Sequence, residues 1–124
     1  MRFATVVFRV AGVWGVLVLV PLYFAADMIG RRDPPAITHV EYYYGFLGVA
    51  LAWQLAFFVI GSDPVRYRGM MLPAMAEKFL HVGGMAVIYL RGWMTPSQLA
   101  FNLPDLVWGV LFVAAFVKTR QRAS

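Results

Sequence analysis

Glu77, Lys78 and His81 stand together inside an otherwise apolar stretch, residues 71–91. A carboxylate, an ammonium and an imidazole are the parts of a proton donor and acceptor set. Near a bilayer centre each such group costs about 2.5–3.5 kcal/mol, so it either satisfies a neighbour or lines a site that binds a ligand or passes a proton. Glu77 and His81 are four residues apart and share a helical face, which Ala74, Gly84 and Ile88 continue. A second polar stripe, Asn102, Asp105 and Gly109, lies in the last apolar run, and Arg9 interrupts the first. At 1.5 Å per residue, Glu77 falls roughly 9 Å and His81 roughly 15 Å beyond the start of the third run. Asp105 reaches a comparable depth from the opposite side, and Arg9 matches Glu77. The expected pairs are therefore Arg9 with Glu77 and His81 with Asp105.

Two readings of that cluster stay open. In one, the pairs only hold helices together, with Lys78 stretching its four-carbon stem to the membrane surface. In the other, the polar groups surround a small cavity that takes a ligand or relays protons. Haem ligation fits poorly, because His39 precedes the second run at its outer end while His81 is near the middle, so the two do not face one iron. His39 reads as a solvated loop residue, and no metal site is expected.

Positioning these groups requires helices that cross a membrane. The 124 residues are 61% hydrophobic and 14% charged, with mean hydropathy +0.69, too apolar for a soluble domain with an ordinary core. About 20 apolar residues span the hydrocarbon layer, so four crossings and short loops consume the chain as one domain. The predicted helices cover about 3–26, 41–61, 71–91 and 96–117, an all-α integral membrane four-helix bundle. Residues 27–40 read as a polar loop in which Asp33-Pro34-Pro35 blocks helix and Thr38 offers a cap. Tyr23-Phe24-Ala25-Ala26 places aromatics where a signal peptide needs small residues, so the first helix is expected to stay uncleaved. Gly45, Gly48 and Ala52 in the second helix, with Gly84 in the third, are spaced for close backbone approach and should form helix contacts. Thr95-Pro96-Ser97-Gln98 has the form of a capping box, and Pro104 should kink the fourth helix.

Orientation follows from the basic residues. With both termini on one side, that side gathers Arg2, Arg9, Arg66, Arg68, Lys78, Lys118, Arg120 and Arg122, against Arg31, Arg32 and Arg91 on the other. Eight against three puts both termini in the cytoplasm. The net charge of +5 is spread over the ends of apolar runs, without the clustering that phosphate tracking needs, so no nucleic-acid partner is expected. The absence of cysteine excludes disulfides, thiolate metal sites and a Cys nucleophile.

Tyr44-Gly45 at the start of the second helix, the short basic loop Asp63-Pro64-Val65-Arg66-Tyr67-Arg68 and the polar Glu77-Lys78 together resemble the DoxX-like group of small bacterial four-helix membrane proteins. The resemblance implies a compact membrane bundle in a bacterial cytoplasmic membrane and an association, for some members, with redox enzymes of the quinone pool. It carries over no catalytic residues, and thiol chemistry lacks its cysteine here. The expected function is a non-enzymatic membrane subunit or lipophilic-ligand-binding module, with no cofactor beyond a bound lipid or quinone and with a membrane-protein partner or a second copy as candidate partners. The alternative is a membrane-embedded enzyme acting on a lipid, quinone or sterol-like substrate, with Glu77, His81 and Asp105 as acid–base groups.

Overall fold

Apolar runs of this length satisfy their backbone polar groups internally as helix, and the computed structural model describes residues 2–32 and 36–123, with side chains as far as Arg120, as helices and turns without a strand. The helices are α1 (Arg2–Leu22), α2 (Ala26–Arg32), α3 (Val40–Ser62), α4 (Met71–Leu90), α5 (Pro96–Asn102) and α6 (Pro104–Ala123), with a 3-10 turn at Arg68–Met70 leading into α4. Three segments among the described residues are long and apolar enough to cross a membrane: Arg2–Leu22, Val40–Ser62 and Pro96–Arg120, the last combining α5 and α6. α4 has the length, at 20 residues, but its charged residues and His81 keep it out of that group.

Local chemistry explains most of the boundaries. Thr95 accepts from the Gln98 amide at 3.2 Å while its own amide donates to Gln98 Oε1 at 2.9 Å, and Pro96 occupies the first helical position, so the capping box forms as expected. α4 ends at Gly92, whose φ of 77° is left-handed backbone that suits only glycine without strain. The Gly92 amide donates to Tyr89 O and the Trp93 amide to Ile88 O, closing the helix in a Schellman motif. Pro104 does more than kink: the helix is interrupted at Leu103, and a new N-terminus opens inside the apolar run.

Four boundaries depart from expectation. α1 ends at Leu22, short of the expected 26, and residues 23–25 turn, with the Tyr23, Phe24 and Ala25 amides donating three residues back. Residues 27–32, expected as loop, are helical in α2, where Asp27 in the first turn and Arg31 and Arg32 in the last complement the helix dipole. α3 begins at Val40 with His39 before it and no side-chain cap, so Thr38 does not serve. α6 continues past 117 to Ala123. The helix-blocking segment Asp33-Pro34-Pro35 lies outside the described residues.

α1 packs most extensively on α3 and also on α6, α4 packs on α6, and α3 meets α4 only lightly. At the end where α1 begins and α6 finishes, one core joins Phe8, Phe57, Met71, Ala74 and Phe112. Phe8 stacks on Phe112 at 4.3 Å and Phe57 meets Phe112 edge-on at 4.9 Å. At the other end only α1 and α3 continue a core, through Leu19, Leu47 and Ala50, and α4 has no buried residue after Lys78. The helices are therefore tight at one end and splayed at the other.

The glycines and alanine expected at helix contacts are elsewhere. Gly45 and Gly84 face open space, Gly48 has nothing nearer than the Tyr23 hydroxyl, 3.8 Å from where a Cβ would stand, and Ala52 is exposed. The buried face of α3 is instead Leu47, Ala50, Gln54, Phe57, Ile60 and Gly61. Close approach is achieved by the reverse arrangement, with holes on α1 and knobs on α3: Gly12 receives the Phe58 ring and Gly15 receives the Gln54 amide. Of the glycines in α1 and α3, Gly61 alone brings backbone to backbone, with Thr5 O 3.3 Å from its Cβ position.

Candidate functional site

α4 buries one face near its start, Met71, Ala74 and Lys78, and that spacing carries an ammonium into the interior. Lys78 is 5% exposed, so the expected reach to the membrane surface is not made. Its Nζ lies 3.2 Å from Asp105 Oδ1 and 3.6 Å from Glu77 Oε2, and 5.2 Å from the centre of the Phe57 ring. Two carboxylates and an aromatic face recover there what a buried cation loses in hydration. Asp105 stands in the first turn of α6, where the helix dipole favours a negative charge. The Pro104 interruption thus places a helix N-terminus where the carboxylate is needed.

His81 and Asp105 come together as expected, Nε2 to Oδ2 at 3.5 Å, but the shorter contact of His81 Nε2 is with Asn102 Oδ1 at 2.8 Å. Asn102 Nδ2 donates to Gln98 O at 2.8 Å, so Oδ1 is the end turned to the imidazole and Nε2 carries the proton of that bond. Phe46 stacks against the imidazole at 6.0 Å. Arg9 does not join. It is exposed on the side of α1 that meets the end of α3, with its Cγ 3.0 Å from the Cβ position of Gly61. Ala4, Val7, Phe8 and Ala11 take the buried face of α1, which turns Arg9 away from α4 and leaves Glu77 to Lys78.

These groups line a cavity of about 360 Å³ at the level where α3 and α4 begin to diverge. Glu77, Lys78, His81, Asn102, Asp105 and Gln54 form its polar part, and Trp14, Val18, Leu19, Leu22, Phe46 and Phe101 its apolar walls. A second cavity, of about 660 Å³, lies towards α2 and α5 beside Arg32, Trp93 and Gln98, and Leu22, Phe101 and Asn102 wall both. On the opposite side the Phe8, Phe57 and Phe112 cluster closes the interior. Access to the polar groups is therefore from the splayed end.

Comparison with models of protein families, with curated proteins and with solved structures gives no match. The site has to be judged on its own chemistry.

Gln54 is the participant the sequence reading passed over. It is 2% exposed, its Nε2 donates to Ala50 O at 2.7 Å, and its Oε1 has no hydrogen-bond partner. Its signal was present as the one amide on the face formed by Leu47, Ala50 and Phe57. Glu77 Oε2 is likewise buried without a hydrogen bond, since Lys78 Nζ at 3.6 Å is an ionic neighbour beyond bonding distance. Polar groups left so are uncommon, and each calls for a reason.

Proposed function

We propose that this chain is a small multi-pass protein of a bacterial cytoplasmic membrane, of the DoxX-like kind, which binds a lipophilic molecule in the cavity between α3 and α4. In this reading α1, α3, α4 and the α5–α6 pair are four membrane spans bundled with both termini in the cytoplasm. The observation that carries the binding role is the cavity itself: apolar walls of Trp14, Val18 and Phe46 around a polar floor of Lys78, His81 and Asp105.

The test is native mass spectrometry of gently extracted protein. The expected spectrum carries one adduct of lipid or quinone mass, and Val18→Trp, which fills the cavity from its α1 wall, abolishes it. An unliganded mass alone, or the same adduct in the variant, overturns the binding role. The enzymatic alternative draws on His81 and Asp105 lining the same cavity. Its mark would be a released molecule differing chemically from the one bound.

Orientation rests on the basic residues, now seven against three because Lys78 is buried in the cluster. Ser62 and Ser97 are exposed at opposite ends of the helices, and the native chain has no cysteine to interfere. Ser97→Cys is expected to react with a membrane-impermeant thiol reagent on intact cells, and Ser62→Cys only after permeabilisation. The opposite pattern would invert the topology.

A further inference from the structure

We infer that the second cavity is a lipid site, which takes the anionic head of a membrane amphiphile, a carboxylate or a phosphate, on Arg32 and the start of its tail beneath α2. The inference goes beyond the binding role proposed above and does not rest on it, because it uses another cavity and the opposite charge.

α2 supplies the first argument. Ala25, Met28, Ile29 and Arg32 line the cavity, and their spacing of three and four residues puts them on one side of the helix. That side is apolar for a turn and ends in a guanidinium, the order of an amphiphile read from tail to head. Among the described residues no other helix packs closely on α2, so what its apolar side faces is the cavity. Leu22, Ile88 and Phe101 add apolar wall from α1, α4 and α5.

The polar lining supplies the second, independent argument. No carboxylate lines this cavity among the described residues, whereas Glu77 and Asp105 line the first. Asn102 is spent, with Oδ1 on His81 and Nδ2 on Gln98 O. Gln98 Oε1 accepts from the Thr95 amide, which leaves its NH₂ end, a pair of donors, for the cavity. Arg32 forms no ion pair with a described carboxylate. The Arg91 guanidinium lies 5.4 Å from the centre of the Trp93 ring, which is itself part of the wall, and so brings a second cation to the same rim. An oxyanion accepts from all of these groups, and a guanidinium holds a carboxylate or phosphate through two parallel bonds. The dipole of α2 favours Arg31 and Arg32 alike, but only Arg32 lines the cavity.

Met28, Trp93 and Phe101 are exposed, so the cavity is open to the surrounding lipid. Its occupant therefore exchanges with the bilayer and is read by titration, while a molecule in the first cavity is read as a co-purifying adduct.

The experiment uses the full chain in phosphatidylcholine nanodiscs, titrated with dodecyl phosphate, dodecanoate, dodecanol and dodecyltrimethylammonium, and separately with inorganic phosphate. Binding is read as the shift in thermal unfolding against probe mole fraction, at a pH where both acids are ionised. Each anionic amphiphile is expected to bind at least about tenfold more tightly than the alcohol or the ammonium, the scale of one charge-assisted contact. Arg32→Gln should reduce that ratio to about threefold or less. Arg31→Gln removes the same charge from the same turn and should leave the ratio unchanged. Met28→Trp fills the cavity from α2 and should also remove the preference, which keeps the test open should Arg32→Gln fail to fold. Val18→Trp fills only the first cavity and should leave the preference intact, so the two sites fail separately. Equal binding of the four amphiphiles overturns the inference, and so does an equal loss in Arg31→Gln and Arg32→Gln, the mark of diffuse surface charge. A shift from inorganic phosphate as large as that from dodecyl phosphate overturns the lipid assignment in favour of a free anion.

Discussion

Lys78→Met is expected to destabilise the protein by about 3 kcal/mol, the low end of what removing one partner from a buried ion cluster costs. Among the described residues Lys78 is the one cation beside Glu77 apart from the imidazole, so its loss leaves two carboxylates facing one another across the helix contact. The low end applies because the Glu77 and Asp105 side chains retain 21% and 29% exposure towards the cavity, which allows partial hydration. Adding Glu77→Gln and Asp105→Asn removes the repulsion, and the triple variant should recover most of the loss, because well-matched neutral groups often serve as well as a buried ion cluster. Unfolding titrations in mixed micelles measure both. A triple variant no more stable than Lys78→Met would show that Lys78 acts through its packing on Phe57 and α6, with the carboxylates incidental.

Gly61→Leu is expected to cost about 1–3 kcal/mol by overpacking, and Gly48→Leu to be close to neutral. A Cβ at Gly61 would stand 3.3 Å from Thr5 O and 3.4 Å from the Arg9 amide, both backbone atoms that move only if α1 moves. At Gly48 the nearest atom is a tyrosine hydroxyl at 3.8 Å. In lipid, helices gain little from apolar burial as such, so the fit of their surfaces carries a larger share of their association. The same unfolding titrations decide it. A cost at Gly48 matching that at Gly61 would mean that the exposed α3 stripe packs against something after all, such as a second copy of the chain.

The aromatic cluster of Phe8, Phe57 and Phe112 and the light contact between α3 and α4 account for where the cavity lies. α4 contributes Met71 and Ala74 to the core and then turns the unpacked residues of its second half, Gly83 and Gly84 among them, towards open space. α1 and α3 continue together through Leu19 and Leu47. Between the two pairs of helices a gap widens, and the polar groups stand where it begins.

Helical class, the Thr95 cap and a disturbance at Pro104 were legible in the residues themselves, because each depends on chemistry within a few positions of the chain. The approach of His81 to Asp105 was legible too, since rise per residue converts sequence distance into depth. Rotation about each helix axis was not. Depth alone paired Arg9 with Glu77, but the burial of Val7, Phe8 and Ala11 turns Arg9 towards Gly61, and Lys78 takes its place. The same ambiguity misassigned the small residues of α3, whose spacing permits close approach without saying which face meets a partner. In a chain this apolar every face of a helix is compatible with lipid, and α3 accordingly shows almost no preference for one side. Which side chains meet was therefore decided only by the fit of whole helices, holes at Gly12 and Gly15 receiving Phe58 and Gln54, and that fit is a property of the tertiary structure.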